Sequence, residues 1–173
     1  MTRQQILDKI AALRAQVALL MSKQTVSTTA QLIYQKAAQS LGKHMTLDDT
    51  IPHEVGCAEA VSAVLALAGI SNGAKGIAGT ATLYAWLSVN PKFQRIETPE
   101  PGAILVSPTG AGNGLITGHT GIFGALGKMY PGDWGIMSND SATGLFMERW
   151  SYNRWKAYYN AQGGLPIYIY RAL

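Results

Sequence analysis

Scarcity is the first property of this chain: one cysteine, few charges and no long apolar run. A single thiol, Cys57, cannot close an intramolecular disulfide framework or supply a thiolate-rich zinc site. Charged residues make up 14% of the chain and leave a net charge of +4. They occur singly, interleaved with Gln, Tyr and Trp, so no basic stripe marks a nucleic-acid partner. No segment reaches the roughly 18 consecutive apolar residues that a membrane-spanning helix requires. The N-terminus lacks the uninterrupted apolar core and small-residue cleavage site of a signal peptide, so synthesis in the cytoplasm without a leader is expected.

What is present describes a globular protein. The 173 residues are 47% hydrophobic, enough for one domain that buries roughly two-thirds of its unfolded-chain surface. Ahead of that domain, Ile6, Ile10, Leu13, Val17 and Leu20 recur at alternating spacings of four and three. This is a heptad seam, and it predicts an amphipathic, coiled-coil-like helix over residues 1–24. Such a helix either self-associates through residues 3–24, meets a partner helix, or folds back onto its own domain. Residues 25–30 are polar and poorly periodic and read as a linker, which leaves 31–173 as the folded domain.

Within the domain, helices come first. One is predicted from about Ala30 to Leu41 with Gly42 as its stop, and a second begins at Cys57 and ends near Gly69. A third begins at Thr80 as its cap and ends before Pro91. The character then changes. Short apolar runs at Ala103–Val106, Thr120–Phe123, Trp134–Asn139 and Leu165–Tyr170 alternate with turns rich in Gly and Pro, which predicts strands. The state of the aromatic stretch 145–160 stays open. Helices followed by antiparallel-looking strands define an α+β fold.

Cys57 is placed where a turn ends and an apolar helix starts. A helix N-terminus offers unpaired N–H groups and the positive end of the macrodipole, which favour a thiolate. Cys57 also shares a helical face with Val61, Val64, Leu65 and Ala68, so the sequence equally allows a small core residue. Nucleophilic catalysis needs an imidazole to move the proton and a polar group to orient the ring. His119, at a strand start, is the candidate base, with His44 and His53 as competitors. Asn139 or Asp140, at the end of the following strand, is the candidate orienting group. Neighbours in a strand point to opposite faces, so only one of the two can meet the ring.

The order of these residues resembles the papain-like superfamily, and more narrowly the CHAP (cysteine- and histidine-dependent amidohydrolase/peptidase) and NlpC-type cell-wall hydrolases. Gly56-Cys57-Ala58 resembles the family's nucleophile position at the opening of a helix. Glu100-Pro101-Gly102-Ala103-Ile104-Leu105-Val106 is similar to its "PGD" turn and first core strand, with Ala103 in place of the usual aspartate. Gly118-His119-Thr120-Gly121-Ile122-Phe123 looks like its "GHVGIV" segment. Ser138-Asn139-Asp140-Ser141 falls where the third polar member belongs, and Pro166-Ile167-Tyr168-Ile169-Tyr170-Arg171 resembles its last strand. The likeness covers about residues 50–171 and leaves the heptad helix aside.

The resemblance implies a papain-like fold, with helices packed on a small antiparallel sheet, and a thiol hydrolase that cleaves an amide bond in peptidoglycan. The bond is either within the stem peptide or between it and the muramyl sugar, as in a phage endolysin. Cys57 is the implied nucleophile and His119 the base. Asn139 is the favoured third member, with Asp140 as the alternative, because Asp140-Ser141 reads as the turn that follows. Gly56 and Gly118 flank the two reactive residues in the cleft. Ile51 stands where papain-like enzymes often carry an oxyanion-hole glutamine, which leaves the Cys57 N–H and His53 as candidate donors. Asp48 and Asp49 lack a full oxygen-ligand pattern, so neither metal nor cofactor is expected. The missing leader implies that such an enzyme reaches the wall by lysis-linked release, virion delivery or secretion-system export. Two other expectations stand beside this one: a non-catalytic oligomerising adaptor, and a papain-like toxin acting on a protein amide.

Overall fold

The computed structural model describes residues 5–6, 9–10, 28–46, 52, 55–70 and 76–173. Of the heptad seam, Ile6 and Ile10 lie in helical turns and are exposed, while Leu13, Val17 and Leu20 lie outside the described residues. The fold is mixed α+β, with helices packed on a six-stranded antiparallel sheet. Helix α1 spans Thr28–Ser40, α2 Cys57–Leu67 and α3 Thr80–Val89. The strands are β1 Phe93–Ile96, β2 Ile104–Ser107, β3 His119–Leu126, β4 Trp134–Asn139, β5 Phe146–Ser151 and β6 Tyr168–Ala172. Between β5 and β6 the chain forms a short helix α4, Tyr152–Trp155, that runs directly into a π-helix at Lys156–Gln162. Spatially the strands are ordered β1-β6-β2-β3-β4-β5. No described helix is long and apolar enough to cross a membrane.

Alternation along the strands divides the core in two. Ile104, Val106, Ile122 and Met137 point to one face and pack under α1, α2 and α3. Leu105, Phe123 and Ile136 point to the other, where Trp155, Tyr159, Leu165 and Ile169 cover them. Helix α2 is the central element of the first layer. Residues 57–65 are buried without interruption, and Ala58, Ala60 and Ala63 keep the helix thin enough for neighbours on every side. In α1, Ala30, Ile33 and Ala37 form the single buried stripe of an amphipathic helix. The Pro101-Gly102 turn lies directly against it. Gly102 has φ +82°, and a Cβ there would stand 1.9 Å from the Ala30 carbonyl oxygen.

Three local readings change. Thr80 does not cap α3: Gly79 holds the N-cap position, and the Thr80 hydroxyl instead meets Thr109 Oγ1 at 2.9 Å and accepts from Thr109 N–H at 2.9 Å. Strand β1 is an additional edge strand, invisible as a pattern because its Phe-Gln-Arg-Ile has little alternation and gains its partners only from β6. The last strand begins at Tyr168, after Pro166, whose nitrogen has no hydrogen to give to a ladder. The open stretch 145–160 becomes β5, α4 and most of the π-helix.

Candidate active site

The first turn of α2 and the first residue of β3 are brought together at one end of the sheet. Cys57, Gly118, His119, Ser138, Asn139 and Asp140 all line a single cavity of about 540 Å³. Its remaining wall comes from Val55, Thr117, Ser141, Met147, Arg149, Trp150, Arg154 and Tyr159. Residues just over a hundred positions apart in the chain, Val55 and Tyr159, thus share one space. That volume suits a small-molecule or peptide subsite.

The thiol is held tightly. Cys57 is buried, and backbone N–H groups of Thr120, Ala58 and Cys57 itself are directed at its sulfur. The last two are the orphan donors of a helix start, as the sequence implies. Their pull toward thiolate is outweighed, however. Burial dominates and pushes the thiol up to about 11, so the resting sulfur is protonated. The helix start favours the thiolate as the sequence implies, and the burial that the sequence allowed as the alternative outweighs it. Because the Thr120 N–H follows immediately on His119, the sulfur docks at the very start of β3.

His119 is positioned by a relay of small contacts. The Thr80–Thr109 pair fixes the loop after β2, and Thr109 Oγ1 accepts the Gly118 N–H at 3.0 Å. A Cβ on Gly118 would stand 2.3 Å from the Ser107 carbonyl oxygen and from Thr109 N, so only glycine lets the loop close this tightly before the histidine. The imidazole then stacks on Trp155 at 5.1 Å and on Tyr159 at 5.6 Å between ring centroids. Trp155 is itself anchored, its indole N–H donating to Ser107 Oγ at 3.0 Å. This enclosure disfavours the charged ring and holds His119 down at about 4, with the Asp140 carboxylate pulling weakly the other way. The resting pair is a neutral thiol and a neutral imidazole.

The polar partner of the ring was missed by sequence reasoning. His119 Nε2 lies 3.2 Å from Ser138 Oγ. Ser138 shares its face of β4 with Ile136, and His119 shares the same side of the sheet with Phe123, so strand alternation brings the two together. The signal was available: counting back two residues from Asp140 along the face reaches Ser138. Asn139, on the alternate face, is buried at the end of β4 and lines the cavity. Asp140 is engaged in the β4–β5 turn, where it accepts from Ala142 N–H at 3.0 Å and from the Thr143 hydroxyl at 3.2 Å, and it pairs with Arg149. Its carboxylate still lies close enough to act on His119 through space.

Of the other candidates, Gly56 is the N-cap of α2, its carbonyl accepting the Ala60 N–H at 2.9 Å. His44 is tied to the β4–β5 turn, donating from Nδ1 to the Gly144 carbonyl at 3.0 Å, and does not line the cavity. His53, Ile51, Asp48 and Asp49 lie outside the described residues. Among the described residues no cluster of His, Cys, Asp and Glu is arranged to hold a metal ion. Trp155 is a core residue, Trp134 packs edge-on to Phe123, and Trp150 belongs to the cavity wall. Tyr159, supplied by the π-helix, is the second aromatic the sequence left unassigned; burial first, and then the nearby Cys57, push its phenol above the ordinary range. Comparison with family models and with curated proteins finds no match to this chain.

Proposed function

We propose that this chain is a papain-like thiol hydrolase that cleaves an amide bond in peptidoglycan, within the stem peptide or between it and the muramyl sugar. The observation that carries the reading is that Cys57 and His119 line one cavity, with the Thr120 N–H directed at the sulfur. The α+β architecture, with a cysteine opening the central helix and a histidine opening a sheet strand, supports the same reading.

In this mechanism His119 accepts the Cys57 proton as the sulfur attacks the substrate carbonyl, so a neutral pair becomes thiolate-derived tetrahedral adduct and imidazolium in one step. Coupling the transfer to attack suits the resting state, because a free thiolate–imidazolium pair is disfavoured by burial on both sides. Ser138 holds the ring through Nε2, and Asp140 stabilises the imidazolium through space. The Cys57 backbone N–H, at the helix start, is a donor for the oxyanion. The imidazolium then protonates the leaving amine, and water releases the acyl group from the sulfur. Cys57→Ala and Cys57→Ser variants that fold like the parent should fail to lyse purified cell walls. Lysis at the parental rate by either one overturns the proposal.

A second reading draws on the same burial: the neutral, enclosed pair equally fits a domain that binds without cleaving, joined to partners through residues 3–24. Muropeptide analysis separates the two, since a binding module leaves the wall fragments unchanged. Parallel product analysis on protein substrates separates cell-wall cleavage from a toxin acting on a protein amide.

A further inference from the structure

The cavity wall carries two arginines, and their charges are in different states. Arg149 is paired with Asp140, so its charge is met within the protein. It sits at a one-residue bulge in β5, where Ile136 faces Trp150 but Met137 faces Glu148, leaving Arg149 as the extra residue. Arg154 makes no ion pair among the described residues. Its guanidinium lies 4.6 Å above the Trp150 ring, and both side chains line the cavity. Trp150 in turn packs against Tyr159 at 5.3 Å, and Tyr159 stacks on His119. A continuous aromatic wall therefore leads from the candidate base to an uncompensated cation. The Ser151 hydroxyl accepts the Arg154 N–H at 3.3 Å and fixes the backbone from which that side chain rises.

We infer that Arg154, held on Trp150, is the subsite for a carboxylate carried by the peptide that enters this cavity. The inference rests on the hydrolase reading only for the identity of the ligand as a peptide. A guanidinium stacked on an aromatic face keeps its in-plane N–H donors free, and those donors match the two oxygens of a carboxylate. Stacking also restricts the side chain before the ligand arrives, so less freedom is lost on binding. Asp140 is already engaged by Arg149, and no carboxylate among the described residues pairs with Arg154, which leaves its charge to be met by a ligand. Arg154 is a positioning and specificity residue in this account and takes no part in bond making.

The test uses the full chain with Cys57→Ala, so that binding is read whether or not the parent turns over. Probes are N-acetyl-alanyl-glutamyl amide, with D- or L-glutamate, and the matching glutaminyl amides; with the C-terminus amidated, each pair differs only in carboxylate against carboxamide and the glutamine peptides carry no carboxylate. Titration is followed by Trp fluorescence and by calorimetry. At least one glutamate peptide should bind about tenfold more tightly than its glutamine partner, the scale of one charge-assisted hydrogen-bonded pair. Arg154→Gln in the same background should erase that preference and leave the glutamine affinity unchanged, while Arg154→Lys should restore part of it. Raising salt should weaken only the glutamate peptide. Equal affinities, a preference that survives Arg154→Gln, or no binding of any probe overturns the inference. Preference for the carboxylate in the absence of any wall lysis by the parent keeps Arg154 and sinks the hydrolase reading. Lysis without the preference does the reverse.

Discussion

Acid should destabilise this fold through His119, and the size of the effect follows from its enclosure. In the unfolded chain the imidazole takes up a proton near its ordinary value of 6.5, whereas loss of hydration around the ring holds it down at about 4 in the folded one. A base whose folded value is depressed contributes stability that is fully present above the unfolded value. As pH falls from 6.5 toward 4, the unfolded state binds the proton first and that stability drains away. Below about 4 both states are protonated and the slope from this residue ends. The gap corresponds to about 3 kcal/mol at most, a large share of the stability of an ordinary domain. Other groups titrate in the same window, and some oppose it. Burial raises Glu100 and Glu148, which favours the folded state in acid, while at Asp133 burial is outweighed by hydrogen bonds and the nearby Lys156, which together hold it below the usual carboxylate range. The comparison that isolates His119 is therefore urea unfolding of the parent and of His119→Gln, each at several pH values between 4 and 7. The stability difference between them should shrink by about 3 kcal/mol toward pH 4. A ring titration followed by NMR should place the native midpoint near 4. Parallel stability curves for the two proteins, or a native midpoint near 6.5, would refute the argument that desolvation controls this histidine.

Two further outcomes follow from the same structure. Cys57, pushed up to about 11, should react with iodoacetamide far more slowly at pH 7.5 than an ordinary exposed thiol, and denaturing urea should accelerate it by at least about a hundredfold. Rapid labelling of the folded protein at neutral pH would show that the helix-start N–H groups win over burial. Gly102→Ala forces a side chain into a left-handed backbone position and against the Ala30 carbonyl, and should cost at least about 2 kcal/mol in urea unfolding without changing the cavity residues. A loss below about 0.5 kcal/mol would mean that the Pro101-Gly102 turn moves freely away from α1.

The sequence by itself determined that helices precede strands, that Cys57 opens a helix and that His119 opens a strand. Those features are local: a run of small apolar residues after Gly56 dictates a buried helix with Cys57 in its first turn, and the apolar run behind His119 dictates a strand. Strand alternation is legible too, and it separates Asn139 from Asp140, but it does not by itself single out Ser138. Only the tertiary structure decided which polar group meets the ring, because that depends on the register between β3 and β4 and on a turn that engages Asp140 with Ala142, Thr143 and Arg149. It likewise decided the protonation state of the pair. A helix terminus acts on a thiol over a few ångströms of one chain segment. The burial that overrides it comes from distant parts of the chain, which pack β3 and β4 against the Cys57 helix, while the π-helix lays Tyr159 over His119. Edge strand β1 and the stacked Arg154 belong to the same category, since a strand without alternation and a cation with no ion pair among the described residues acquire meaning only from what the fold places next to them.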